Sequence, residues 1–231
     1  MAKILFVVTG ATHWTLADGT DHPTGFWAEE ALAPYEAFTA AGHSITVATP
    51  GAVVPTVDQY SLTPDVNGGP ENAERIAKGL DSFTELAHPI TIEDVTLADY
   101  DAVFYPGGHG PMQDLAHDEH SARLLQQTLE SGKPLGVVCH GAAALLAVRN
   151  PDDSWPFAGY RLTGFSRAEE TLTGLADKAQ WVLQDRLVAD GALFEETAAW
   201  TPHVVVDRNL ITGQNPASAA PVAAAMLKAL D

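Results

Sequence analysis

Short runs that are apolar at nearly every position alternate along this chain with longer segments whose apolar residues recur at helical spacing. Strands covered by helices on both faces lose the in-out alternation of a half-exposed sheet. The pattern therefore predicts an α/β, flavodoxin-like fold, a mostly parallel sheet with helices on both faces. The strand runs are KILFVV (3–8), SITVAT (44–49), AVFYP (102–106) and PLGVVC (134–139). Helical patterns occupy 26–42, 120–132, 141–149 and 218–230. Gly42 and Gly132 follow helix ends, Asp118 stands where it caps the helix after it, and Pro34 is expected to kink or split the first helix. The segment HVVVDRNLITG (203–213) alternates around a turn-prone Asp-Arg-Asn and predicts an antiparallel hairpin. Residues 50–96, rich in Pro, Gly and Asp around one weak helix near 71–86, read as an insertion or cap over one end of the sheet.

Composition narrows the partners. A hydrophobic fraction of 46% over 231 residues supports one sizeable core, so 1–231 is expected to be a single domain. With 30 acidic against 12 basic residues, the net charge of -18 argues against nucleic acid, anionic lipid or other polyanions as partners. The start, MAKILFVVTG, lacks the long apolar region and cleavage site of a signal peptide, and no apolar run is long enough to span a bilayer. Together with a single unpaired cysteine, this predicts a cytoplasmic protein with no membrane partner.

That cysteine carries the main chemical signal. In GVVCHG a buried strand runs directly into a helical pattern with Cys139 at the junction, His140 behind it, and Gly141 allowing a tight turn. This is the layout of a nucleophile elbow, which lifts the sulfur above the carboxyl edge of the sheet, where α/β proteins bind ligands. A helix start at that point favours a thiolate and leaves backbone N–H groups free for an oxyanion. The same cysteine packed as a small core residue is the plain alternative; the strand, the turn glycine and the adjacent histidine favour a nucleophile. One strand away, GGHG (107–110) follows AVFYP, and its consecutive glycines let backbone approach a ligand.

FYPGGHG, VVCHGAAAL, LTGFSRAEET and LITGQNPASA, in that order, resemble the ThiJ/PfpI superfamily, which shares its fold with class I glutamine amidotransferases. The chain is most similar to the glyoxalase III-like branch, which includes heat-shock chaperones that are also glutathione-independent glyoxalases. The resemblance implies a nucleophilic cysteine, the histidine after it, an acidic residue orienting that histidine, and a carboxylate from the first helix touching the thiol. By motif these are Cys139, His140, Glu170 (directly before the threonine of SRAEET, rather than Glu169) and Glu30 (four positions before Pro34, rather than Glu29). On its own, AEE reads as a solvated acidic helix face and RAEET as an exposed helix start. Beside a thiolate, Glu30 is expected to be neutral at rest, its pKa raised by burial and by the sulfur's charge.

The resemblance further implies a small 2-oxoaldehyde such as methylglyoxal as substrate and lactate-type 2-hydroxy acids as product, with no cofactor or metal and a homodimeric assembly. Gly107, Gly108 and His109 would then line the substrate and oxyanion site, with Trp27 and Asn215 nearby. His117 and His120 are spaced as two metal ligands on one helix turn, yet a solvated acidic helix start explains them without a third ligand. Two other functions stand beside this one: a stress-linked chaperone or thiol redox sensor, and a cysteine peptidase or related hydrolase. A glutaminase is disfavoured, since no His-x-Glu pair follows Cys139.

Overall fold

The apolar run Lys3–Val7 (β1) lies inside a seven-stranded sheet in the computed structural model, which describes residues 1–230. On one side of it come Ser44–Thr49 (β2) and the short edge strand Ile90–Thr91 (β3). On the other come Ala102–Tyr105 (β4), Leu135–Val138 (β5) and the hairpin of Val204–Asp207 (β6) with Leu210–Gly213 (β7), giving the order β6-β7-β5-β4-β1-β2-β3. Only the β6–β7 pair is antiparallel. Every residue of β4, β5 and β7 is buried, which is why those strands are uninterrupted apolar runs in the sequence.

Helices Ala28–Ala40 (α1), Pro70–Ser82 (α2), Glu119–Ser131 (α3), Arg167–Thr173 (α4), Leu183–Ala189 (α5) and Ala219–Leu230 (α6) flank the sheet. Asp118 caps α3 by accepting from the Ser121 N–H at 2.7 Å, as expected. At the core, Phe6 packs against Phe104 at 4.9 Å between ring centres, Phe83 at 5.7 Å and Phe38 of α1 at 6.0 Å. Such aromatic pairs add about 0.5–1.5 kcal/mol each beyond the area they bury. They fix α1, and with it Glu30, against β1 and β4.

Three local expectations change. Pro34 does not split α1, which runs unbroken from Ala28 to Ala40. The proline removes the hydrogen bond that residue 34 would give the Glu30 carbonyl, but it is buried on the face that also carries Ala31 and Phe38, and packing keeps the helix whole. The segment expected as a helix over 141–149 winds as a 3-10 helix, Cys139–Ala147. Residues Cys139 to Leu146 are all buried there, and four consecutive small residues, Gly141 to Ala144, let the narrower winding fit among α3, α5 and the one-turn helix Gly110–Gln113. Residues 50–96 contribute not only α2 but also β3, which extends the parallel sheet from Ala48 and Thr49 of β2.

From β1 the chain first builds outward through β2 and β3, then crosses back to β4 and β5 on the opposite side. The strand order reverses between β1 and β4, the switch point beyond whose carboxyl ends open α/β sheets hold ligands. The segments that leave β4 and β5 carry His109 and Cys139.

Candidate active site

Strand β5 ends in extended Val138, and Cys139 then takes φ = 58°, a left-handed conformation that non-glycine residues rarely adopt. Strain of this kind costs about 1–3 kcal/mol and persists where the surrounding structure enforces it. Here the next turn is locked by Gly141, where a Cβ would lie 2.7 Å from the Tyr105 carbonyl oxygen. The elbow read from GVVCHG is therefore present, with the sulfur at the end of a central strand.

His140 places Nδ1 3.5 Å from the Cys139 sulfur and Nε2 2.6 Å from Oε2 of Glu170. The other oxygen of Glu170, Oε1, lies 2.8 Å from Nε2 of His109. Burial, the largest single influence, pushes Glu170 upward, but the two imidazoles together hold it well below the usual carboxylate range. An ionised carboxylate only accepts, so both rings donate Nε2–H, and the Nδ1 lone pair of His140 is left facing the thiol. Burial first, then His109, lowers the pKa of His140 against the opposing pull of Glu170. A neutral base beside a thiol results. Phe165 covers the His140 ring at 4.4 Å and Trp14 stacks on His109 at 5.0 Å and 15°.

Glu30, fully buried in the first turn of α1, accepts the Gly107 N–H on Oε2 at 2.8 Å. A Cβ at Gly107 would stand 2.8 Å from that oxygen and from the His140 nitrogen, so the approach requires glycine. Burial raises the Glu30 pKa to about 8, while the neighbouring Cys139 and the Gly107 N–H oppose the rise. The acid is neutral at rest and burial is the cause, as expected, but the sulfur acts in the sense opposite to that expected. Its other oxygen, Oε1, is buried without a hydrogen-bond partner among the described residues, an atom of the kind that a reaction can use.

The thiol itself departs from expectation. Burial above all, then Glu30, pushes Cys139 well above its ordinary pKa, and the adjacent His140 N–H only partly opposes them. A helix start would favour the thiolate, but a sulfur with 3% exposure beside a carboxyl group loses more from desolvation than it gains. The resting pair is a thiol and a carboxylic acid, with His140 as the nearby base.

Both ambiguous glutamate pairs separate by position. Glu29 turns toward Arg75 of α2 at 2.8 Å, leaving Glu30 to the interior. Glu169 forms a capping box with Ser166 and accepts from the Trp200 N–H at 2.9 Å and from Asn215 Nδ2 at 2.8 Å, leaving Glu170 to the histidines. Asn215 is thus a support for the α4 start. Trp27 gives its N–H to the Gly107 carbonyl at 2.9 Å, while its ring lines a groove of about 330 Å³ with Asn67, Asn72 and Pro216. Gly108, at φ = 89°, packs under Gly25 and Trp27. His117 and His120 lie at the partly solvated start of α3. Of the types that ligate metals, His109, His140 and Glu170 bring three atoms within 4.8 Å, and hydrogen bonds within the trio already satisfy the carboxylate.

Sequence reasoning placed His109 at the pocket but missed its bond to Glu170 and the hairpin that covers it. That hairpin, His13–Thr15 with Asp21–Pro23, lays Trp14 directly opposite His22. The turn-prone pair Asp18-Gly19 was the available signal.

A strained cysteine elbow backed by histidine and glutamate, with a buried acid from the first helix, defines a cysteine-centred α/β protein of the ThiJ/PfpI type. The chain belongs to the DJ-1/PfpI family, which matches residues 23–229. It is 29% identical over 238 residues to glyoxalase 3 of Candida albicans, covering 100% of this chain and 99% of that one. The crystal structure of that organism's glyoxalase III superposes with a TM-score of 0.84 at 26% identity, over 100% of this chain and 98% of the other. A human glutamine amidotransferase-like class 1 domain-containing protein 1 is 38% identical over 135 residues, a match spanning 58% of this chain and 61% of the human one. Among the described residues no helix is long and apolar enough to cross a membrane.

Proposed function

We propose that this protein is a glutathione-independent glyoxalase that converts small 2-oxoaldehydes, methylglyoxal among them, to 2-hydroxy acids without a cofactor. The observation that carries it is the placement of a neutral, buried Glu30 beside the elbow thiol, with a neutral His140 on the sulfur's other side. Similarity to a glyoxalase over its full length supports the same chemistry.

In the first step His140 Nδ1 takes the thiol proton as sulfur bonds to the aldehyde carbon, and Glu30 gives its proton to the aldehyde oxygen. A hemithioacetal forms on Cys139. Glu30, now a carboxylate, removes the hydrogen from that carbon and returns it to the neighbouring carbon through an enediol, while the hydroxyl proton of the first oxygen passes to the second, leaving a 2-hydroxyacyl thioester. Water then forms the new C–O bond as the C–S bond breaks, and the sulfur recovers its proton from His140. One hydrogen of water restores Glu30, and the other leaves as a net proton with the carboxylate product. The N–H groups of Gly108 and His140 are the donors suited to the oxyanions, since that of Gly107 is committed to Glu30.

A raised thiol pKa disfavours a sensor that depends on a resting thiolate. The test is conversion of methylglyoxal to lactate by metal-free protein without glutathione, and its loss in Cys139→Ser. Full activity in that variant would remove the sulfur from the reaction.

A further inference from the structure

We propose that His109, His140 and Glu170 form an inhibitory zinc site, in which the metal takes the nitrogen that His140 turns away from the thiol. Two imidazoles and one carboxylate are a ligand set that zinc uses, with the fourth position left to water. Here one ligand atom from each of the three lies within 4.8 Å of the other two. Among the described residues no third ligand joins His117 and His120 in the same way.

The three come from separate elements: His109 follows β4, His140 follows β5, and Glu170 lies in α4. The two rings face each other, 4.1 Å between centres at 39°, and each aims Nε2 at its own oxygen of Glu170, at 2.8 and 2.6 Å. Zinc–ligand bonds of about 2.0–2.2 Å set ligands roughly 3.3–3.5 Å apart in a tetrahedron. The carboxylate therefore has to withdraw from each ring by roughly half an ångström, which a side-chain adjustment supplies. Zinc takes neutral imidazoles and ionised carboxylates, the forms that His140 and Glu170 already hold. Entry is from the His109 side, the least closed of the three at 7% exposure, and the net charge of -18 draws cations to the surface.

The metal acts on the reaction through a tautomer. In the free site each ring carries its proton on Nε2, where Glu170 accepts it. Zinc on Nε2 displaces that proton to Nδ1 of the same ring, so each imidazole stays neutral and no proton enters or leaves. On His140 the proton then lies between Nδ1 and the sulfur, which are 3.5 Å apart. Nδ1 can no longer accept the thiol proton, and bonding of sulfur to the aldehyde stops. That consequence rests on the glyoxalase function above, while the site itself does not.

The test is equilibrium dialysis of metal-free protein against zinc chloride and, separately, against cobalt(II) chloride, whose absorption reports its ligands. Wild type should bind one zinc per chain and lose lactate formation in step with occupancy, and a chelator should reverse both. Bound cobalt should show visible bands of a low-coordinate nitrogen and oxygen site, without the near-ultraviolet charge transfer of a thiolate ligand. Zinc affinity should be unchanged in Cys139→Ser and in His120→Ala. In His109→Phe, which keeps a ring against Trp14, it should fall by more than the roughly 10–100-fold that loss of an outer supporting contact costs. Absence of zinc from wild type, a thiolate band with cobalt, or affinity lost in Cys139→Ser or His120→Ala overturns the site, and none of these readings needs the His109 variant to fold. Lactate from a wild type that binds no zinc leaves the glyoxalase function standing without the site. Zinc binding without lactate from the metal-free protein removes the function and the inhibition with it, while the site stands.

Discussion

Glu170 accepts a hydrogen bond from Nε2 of His140 at 2.6 Å, with both side chains shut off from solvent. That contact decides which nitrogen faces the sulfur: with the proton held on Nε2, Nδ1 is the acceptor that Cys139 meets. Substitution Glu170→Gln offers one ring an acceptor and the other an amide donor, so one histidine must change tautomer. We expect kcat on methylglyoxal to fall on the order of 10²–10⁴-fold, with a smaller change in KM, read by steady-state kinetics.

Glu30→Gln tests the proton carrier. An amide keeps the acceptor that Gly107 N–H uses but cannot cycle a proton between two carbons. Turnover should fall by at least about 10²-fold. Intact-protein mass spectrometry should still detect aldehyde trapped on Cys139 after reduction. An active Glu30→Gln enzyme would take Glu30 out of this role.

The two carboxyl groups should give opposite pH signatures in stability. Glu30 is raised to about 8 in the folded protein from an ordinary 4.5. Its contribution is thus fully present below pH 4.5 and lost as pH rises toward 8, because the unfolded chain ionises first. Glu30→Gln escapes that loss, and its unfolding free energy from urea curves should rise relative to wild type from pH 5 upward, by on the order of 3 kcal/mol at pH 7. Glu170 is depressed, so its contribution is present above its ordinary 4.5 and disappears as pH falls through its folded value. Glu170→Gln should therefore be destabilised at pH 7 and approach wild type in acid. Parallel urea curves across pH check both signs.

Cys139 should alkylate slowly at neutral pH. Burial and Glu30 hold the thiol above its ordinary range, so the iodoacetamide rate should keep climbing beyond pH 9. A plateau reached by pH 6 would mean a resting thiolate and contradict the proton inventory proposed for the first step.

How much of this was legible in the sequence follows from the kind of interaction involved. The strands around Phe6, Phe104 and Val137 were legible because full burial writes itself as continuous apolar composition. Glu30 and Glu170 were singled out by family motif; each has an acidic neighbour that is also in use, Glu29 on Arg75 and Glu169 on Asn215, and composition does not separate them. The edge strand Ile90–Thr91 was missed since two residues paired only to β2 carry no periodicity of their own. The elevated thiol was missed because a local rule, the helix start, was applied to a site whose electrostatics are set by three-dimensional burial. The bond from His109 to Glu170 joins residues 61 positions apart, and nothing local announces it.

The most direct test of the central claim is proton NMR of methylglyoxal incubated with the metal-free protein in the absence of glutathione. Wild type should convert it to lactate, while Cys139→Ser and Glu30→Gln should leave it as the hydrated aldehyde. Lactate formed equally by Cys139→Ser, or none formed by folded wild type, would contradict the account.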